Sequence, residues 1–538
     1  MENTIQSAPA QQKKHVSNQE FVLFLISVFF YTNMTGMVNG YRQAYLVNVL
    51  RLDSGSVSLI NAICGILGFA LSFFYAIIMD NRKKSKLGKF RPLGLASAVP
   101  MGILTVMMFV TPQMPLPIMI AYLCTVQLLQ GAASYFGNSV NMVGVVMTPN
   151  TQERDKILSF RGISSAIGNS APLVIVLVIG LLRKPGIIQT EAMMYIVSAA
   201  LCGLVGTLSM LAGMKAVRER IVYSEKRENP LLGFRDVIGN KYAILVLISE
   251  FLKNFRQIAN YMGIFLAVAL LGDPSKFILF GLPTGIGTFV GMLIVNALLK
   301  KFTSKQIYIA SGVYSVLANG AAFATGILCF NHPEQSSLTV LFVVCLFLIG
   351  LQFGASNLLP SMFQADILED IELKTGKRLD ASLGFIISAG SSLSGLIAQS
   401  LSPRILYGDH SIIQYIQPVD QMVDGVMQTV YQTQAYDTKV KLLFFYTLFH
   451  GMMMLLAGLP FSVYKLTGKE RDRVHEEVLC RREALGGVER EKRSPLKLRH
   501  LPCSGRTDAL QNCLRCVRLL WKELRLLAGC NWGGAMIR

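Results

Sequence analysis

The chain has 538 residues, of which 52% are hydrophobic and 15% charged. A soluble globular chain carries about 25% charged residues, so this composition demands long uncharged stretches and excludes an ordinary soluble protein in favour of a membrane-embedded one. The formal net charge of +19 does not imply nucleic acid, because the basic residues sit in short loops between apolar runs and form no patch.

The first twenty residues are polar and lack an apolar core followed by a small-residue cleavage site, so the first hydrophobic run is expected to serve as its own insertion signal. A spanning helix needs about 20 mostly apolar residues. Runs of that length lie at 21–38, 57–79, 92–111, 117–146, 163–182 and 192–214. A polar stretch at 215–242 separates them from a second set at 243–271, 277–299, 307–330, 338–362, 382–401 and 442–464. The expected architecture is all-α and integral to the membrane: residues 1–20 as a cytoplasmic N-terminus, a six-helix half at 21–214, a linker at 215–242, a second six-helix half at 243–464 and a basic tail at 465–538. The loops on the N-terminal side hold roughly 24 Lys and Arg, against about eight in the opposite loops. That bias predicts both termini in the cytoplasm.

Polar residues inside the spans mark candidate sites, because lipid makes them costly. On the fourth span Gln127, Gln130, Ser134, Asn138 and Asn141 share one helical face. The first span presents Thr32, Thr35 and Asn39 in the same way. Amides and hydroxyls both donate and accept, which suits an uncharged polyhydroxylated solute. The expected substrate contacts are therefore Thr32, Asn39, Gln127, Gln130, Asn138 and Asn141. Hydroxylated and small stripes on the second span (Asn61, Gly65, Gly68, Ser72) and the eleventh (Ser388, Ser391, Ser392, Gly395, Gln399) serve helix packing equally well.

The seventh span carries Glu250, Lys253, Asn254, Gln257, Asn260 and Tyr261 on one face, with Arg256 at its flank. Lys253, Asn254 and Gln257 join the expected substrate contacts, and Glu250 is the candidate proton or cation site. The alternative is that Glu250 and Lys253 pair with each other or reach headgroups.

Asp80-Asn-Arg-Lys-Lys-Ser-Lys-Leu-Gly-Lys-Phe-Arg-Pro92 resembles the signature after the second helix of the glycoside–pentoside–hexuronide:cation symporters, the melibiose-permease branch of the major facilitator superfamily. Thr151–Arg161 is similar to the family's loop entering the fifth helix, and Ala365–Arg378 to its loop between the tenth and eleventh. The resemblance covers about residues 20–465. It implies the major facilitator fold, with halves related by a pseudo-two-fold axis, and places Arg161 among the sugar-binding residues. The charges of these loops also suit a cytoplasmic gate, in which Arg91 and Arg154 of the first half pair with Asp366, Glu369 and Asp370 of the second to hold that side closed; the alternative is that they serve topology and solubility alone.

The family's paired aspartates of the second helix, which bind the cation, fall here at Phe69 and Phe73 or at Gly68 and Ser72. A Na⁺ site normally needs a negative ligand, so the expected coupling ion is H⁺ before Na⁺. The expected function is secondary transport of a sugar or glycoside, neutral or anionic, with membrane lipids as surroundings and no nucleic-acid partner, cofactor, resident metal or enzymatic activity. The alternatives are an uncoupled facilitator and a transport-inactive sensor or scaffold. Five cysteines lie in spans and five in the tail, which implies no disulfide framework. In the tail, Leu510, Leu514, Val517, Trp521 and Leu524 alternate with Arg and Lys, as on a basic helix lying on an anionic leaflet.

Overall fold

The structure, a computed structural model, describes residues 15–81, 85, 87–148, 150–182, 188–220, 234–332, 334–376, 379–423, 426–478 and 480. The expected amphipathic tail helix and the cysteines 503, 513, 516 and 530 lie outside the described residues.

In chain order come α1 (Asn18–Ala44), α2 (Ser54–Asn81), α3 (Arg91–Met107), α4 (Leu116–Gly137), α5 (Ser139–Val146), α6 (Thr151–Leu181) and α7 (Glu191–Ala216). A short α8 (Phe234–Ile238) leads into α9 (Lys241–Asn254), α10 (Gln257–Leu271), α11 (Ile278–Leu298), α12 (Ser304–Asn331), α13 (Ser336–Thr375) and α14 (Asp380–Leu406). An antiparallel hairpin follows, β1 (Val419–Val423) on β2 (Val426–Val430), and then α15 (Tyr436–Tyr446) and α16 (Leu448–Gly458). Ten stretches among the described residues are long and apolar enough to cross a membrane. The third expected span is the shorter Arg91–Met107, and the seventh is divided between α9 and α10. Leu204, Leu208, Leu317, Val340 and Phe289 are well exposed, as a lipid-facing belt must be.

The helices pack in a pattern that repeats. In the first group α1 packs on α6 and α7, α3 on α4 and α7, and α2 on α4. In the second, α9 packs on α14 and α16, α12 on α13 and α16, and α11 on α13. Each of these pairings of the first group thus recurs between the corresponding helices of the second, so the packing repeats from one group to the other. The groups meet chiefly where α2 packs on α14 and α6 on α11. The α11–α13 seam is closed by glycines: a Cβ at Gly287 would fall 2.2 Å from the Phe347 carbonyl oxygen, and one at Gly350 2.4 Å from that of Thr284. Such backbone contact is how helices gain dispersion energy where lipid supplies no hydrophobic drive.

Several element ends differ from the hydropathy reading. α1 runs past Val38 to Ala44 and continues as a π turn at Tyr45–Val49. α13 runs on to Thr375, so Asp366, Glu369 and Asp370 stand on a helix instead of in a loop. The seventh span breaks at Phe255 and Arg256, whose N–H groups bond the carbonyls of Leu252 and Lys253 three residues back, a tightened turn that ends one helix before the next begins.

The family-like stretch before α3 has a concrete role. Gly88 takes φ +109°, a left-handed value that favours glycine. A Cβ there would strike the Glu219 carboxyl carbon at 2.4 Å. That carboxylate accepts the N–H groups of Lys89, Phe90 and Arg91, each at 2.8 Å, satisfying donors at the start of α3.

Candidate functional site

A cavity of about 990 Å³ lies between the two groups of helices. It is lined from α1, α2, α4 and α6 on one side and α10, α11, α13 and α16 on the other. Of the residues expected to touch substrate, Asn39, Gln127, Gln130, Asn138 and Gln257 line it. Asn138 sits at the break between α4 and α5, where its N–H bonds the Ser134 carbonyl. Tyr31 also lines the cavity, and its hydroxyl donates to Ser134 O at 3.0 Å.

The remaining expected contacts lie elsewhere. The Thr32 hydroxyl donates back to the carbonyls of Val28 and Phe29 and packs where a Cβ at Gly168 would come within 2.3 Å. It belongs to the α1–α6 seam. Asn141 donates to the Asn138 side-chain oxygen, and Arg161 donates to the Asn141 carbonyl at 3.0 Å. Asn254 donates to the Ser391 carbonyl on α14. Glu250 and Lys253 are both buried and pair with each other at 2.5 Å, with the Ser356 carbonyl also accepting from Lys253. None of these six is in the cavity lining. The pair lies on α9 just before the helix break, and Gln257 and Asn260, just after it, line the cavity.

Three functional candidates were not in the expected set of contacts. Arg42 lines the cavity, only 7% exposed, and donates to Asn61 Oδ1 at 3.2 Å and to Gln127 Oε1. Hydropathy placed it in a loop. Tyr261 of α10 lines the cavity with its hydroxyl buried and unbonded. His450 of α16 lines it too, and its tautomer follows from its neighbour. Asn319 spends its amide hydrogens on Ser315, leaving Oδ1 to accept from His450 Nδ1 at 3.3 Å. The Nε2 lone pair is then a buried acceptor with no partner. Among the described residues no Asp or Glu lines the cavity. At the positions matching the family's cation-binding aspartates, Gly68 and Ser72 line the cavity and Phe69 meets Phe73 edge to face, while Phe73 packs on Phe385 of α14.

The end of the cavity nearer Ala44 is capped by the segment after α14. Tyr407 donates to the Leu52 carbonyl at 2.7 Å, Gln417 to the Val47 carbonyl at 2.9 Å, and Arg51 pairs with Asp420 at 2.9 Å. Glu191, 1% exposed at the start of α7, accepts from Asn48 (3.2 Å), Tyr195 (2.6 Å) and Tyr431 (2.8 Å), and its own N–H bonds the Thr429 hydroxyl. The hairpin of the second group is thereby bonded to the first.

At the opposite end, four of the five gate residues find partners inside their own group. Arg91 donates to the Met214 and Lys215 carbonyls. Asp366 pairs with Arg471, Glu369 with His475, and Asp370 with Lys374 and Asn240. Arg154 is half-buried near the start of α6. In the conformation seen here Arg91, Asp366, Glu369 and Asp370 thus bond within their own halves.

Over residues 23–468 the chain matches the family described as MFS/sugar transport protein. It is 22% identical over 460 residues to the putative glycoside/cation symporter YagG of Escherichia coli (strain K12), covering 82% of this chain and 90% of that one. It is 24% identical over 412 residues to the uncharacterized symporter YjmB of Bacillus subtilis (strain 168), with 74% and 82% covered. A putative sulfoquinovose importer of Salmonella typhimurium is 22% identical over 399 residues, with 68% and 77% covered. Among solved structures, the nucleoside transporter NupG superposes with a TM-score of 0.56 at 16% identity, over 84% of this chain and all of that one. The xylose transporter XylE from E. coli gives 0.51 at 12% identity, over 84% and 98%. At these identities the solved structures speak for the fold alone.

Proposed function

The chain belongs to the MFS/sugar transport protein family, and from that premise we propose that it carries a sugar or glycoside across the cytoplasmic membrane by alternating access, in symport with H⁺. Membership makes it a multi-pass membrane transporter and not an enzyme; the substrate and the ion are the proposal. One observation carries it: a cavity at the interface of two repeated helix groups, lined by the amides of Asn39, Gln127, Gln130, Asn138 and Gln257. Its volume suits a small glycoside, and groups that both donate and accept suit a ring of hydroxyls. The relatives' names, a glycoside/cation symporter and a sulfoquinovose importer, favour the same class.

Glu250 is the proposed proton carrier. It is the buried carboxylate nearest the α9–α10 break, and Lys253 beside it supplies the countercharge for the deprotonated form. Phe69, Phe73, Gly68 and Ser72 supply no carboxylate for Na⁺, whose dehydration needs one. The excess of Lys and Arg near Asn18 puts that side in the cytoplasm and the β1–β2 hairpin outside.

Purified protein in liposomes tests the reading through uptake of labelled glycosides with and without a pH or Na⁺ gradient. Accumulation driven by the pH gradient, lost in Glu250→Gln while sugar exchange persists, is the expected result. Failure to accumulate or exchange any sugar would remove the transport reading, and undiminished gradient-driven uptake by Glu250→Gln would remove the proton assignment.

A further inference from the structure

We infer that Arg42 and Tyr261 form an oxyanion subsite in the cavity, so that the transported solute carries a carboxylate, sulfonate or phosphate group. The inference rests on the cavity being the transport site and narrows the class of solute.

Burial of a guanidinium is costly unless a counter-charge accompanies it. Arg42 has none among the described residues. Its two bonded oxygens belong to the neutral amides of Asn61 and Gln127. No Asp or Glu among the described residues shares the cavity lining. Those two amides engage only part of a five-donor fork that cannot deprotonate. The amides also fix its aim. Asn61 Oδ1 accepts from Gln43 as well as Arg42, and Asn61 Nδ2 donates to the Gln399 carbonyl on α14. Arg42 is therefore positioned, charged and without a counter-ion in a cavity large enough to admit one.

Tyr261 supplies the second donor from the other helix group. Its hydroxyl is buried and has no partner, although a buried hydroxyl is ordinarily bonded. It lines the same cavity as Arg42. A planar or tetrahedral oxyanion accepting from both would satisfy the orphan hydroxyl, neutralise the guanidinium and join α1 to α10. A neutral sugar hydroxyl would satisfy Tyr261 and leave the charge of Arg42 unmatched.

The test uses the full chain in liposomes with three matched probes: a methyl glucoside, the corresponding glucuronide and the corresponding 6-sulfonate. The expected result is that an anionic probe competes at least tenfold better than the neutral one, and that Arg42→Gln removes most of that preference. Tyr261→Phe should lower the affinity for the anionic probe by a larger factor than for the glucoside. Inorganic sulfate should inhibit the parent protein, a measurement that stands even where Arg42→Gln fails to fold. Preference for the neutral glucoside, with no effect of sulfate, would overturn the subsite and leave sugar transport intact. Uptake of an organic anion that is not a sugar, lost in Arg42→Gln, would keep the subsite and remove the sugar. Inertness toward every probe, sugar and anion alike, would overturn both.

Discussion

The segment after α14 offers a direct test of what holds one side of the protein shut. The Tyr431 hydroxyl donates to Glu191 Oε2 at 2.8 Å, across the two helix groups. Tyr431→Phe removes that donor and keeps the ring. Glu191 retains Asn48 and Tyr195 from its own group, so the closed state is not left with an unsatisfied carboxylate. A hydrogen bond to a charged acceptor contributes about 1.5–3 kcal/mol, and Tyr431 is only partly buried, which favours the lower figure. A loss of about 1.5 kcal/mol shifts the closed-to-open ratio by about tenfold. Gly40 lines the cavity toward this side, and a Cβ there meets nothing within 4 Å, so Gly40→Cys supplies a tolerated probe. In a background with the other reactive cysteines replaced, an impermeant maleimide applied from the hairpin side should label it about tenfold faster in Tyr431→Phe. Labelling at the parental rate, in protein that remains folded, would show that these bonds do not govern opening.

Three further substitutions have expected outcomes. Glu250→Gln leaves the Lys253 ammonium buried without its countercharge and should cost about 3–5 kcal/mol; thermal unfolding in detergent reads it, and the double change Glu250→Leu with Lys253→Met should recover most of the loss. Gly287→Ala forces a methyl group toward the Phe347 carbonyl and should destabilise the α11–α13 seam by about 1–3 kcal/mol, visible in the same melt. Burial would raise the Glu153 carboxyl, but the hydrogen bonds from Thr148, Val16 and His15 outweigh it and hold the group below its ordinary value of 4.5. With the folded value depressed, its contribution is complete above that ordinary value and is lost as pH falls through the lowered one. Hydrogen exchange at the Val16 amide should therefore be faster in Glu153→Gln than in the parent at neutral pH, with the difference vanishing in acid.

Hydropathy and charge located the helices because a bilayer imposes length and apolarity on each span independently of its neighbours. They were silent where tertiary contact decides. Asn39-Gly-Tyr-Arg-Gln43 reads as the polar end of the first span, yet α1 continues through it because Asn61 and Gln127 from other helices accept from Arg42. The apolar run resuming at Tyr45 was the one local sign. No proline or glycine lies between Asn254 and Gln257, so nothing local marks the break in the seventh span. The polar face of the fourth span was legible down to Gln127, Gln130 and Asn138, since a period of 3.6 places them on one side whatever they face. Whether that side met a cavity or another helix was not legible, as Thr32 shows: the same kind of residue, one helix away, packs on Gly168. The hairpin had a signal of its own, two runs of alternating residues around Asp424-Gly425.

The two ends of the bundle are held by different chemistry, and that difference bears on what a solute must do. Opening the hairpin side gives up the Glu191–Tyr431 bond, the Tyr407 and Gln417 bonds to backbone carbonyls and the Arg51–Asp420 pair. At the other end Arg91, Asp366, Glu369 and Asp370 bond within their own groups, so those bonds need not break when the groups move. The hairpin bonds, which do join the groups, therefore favour the conformation seen here. A solute reverses such a bias only by binding the alternative state more tightly. Contacts confined to one helix group move rigidly with it and are equal in both states. Contacts that join the groups are not, and in this cavity Arg42 and Tyr261 are lining residues from opposite groups. A ligand gripping both is therefore placed to couple its own binding to the exchange of access.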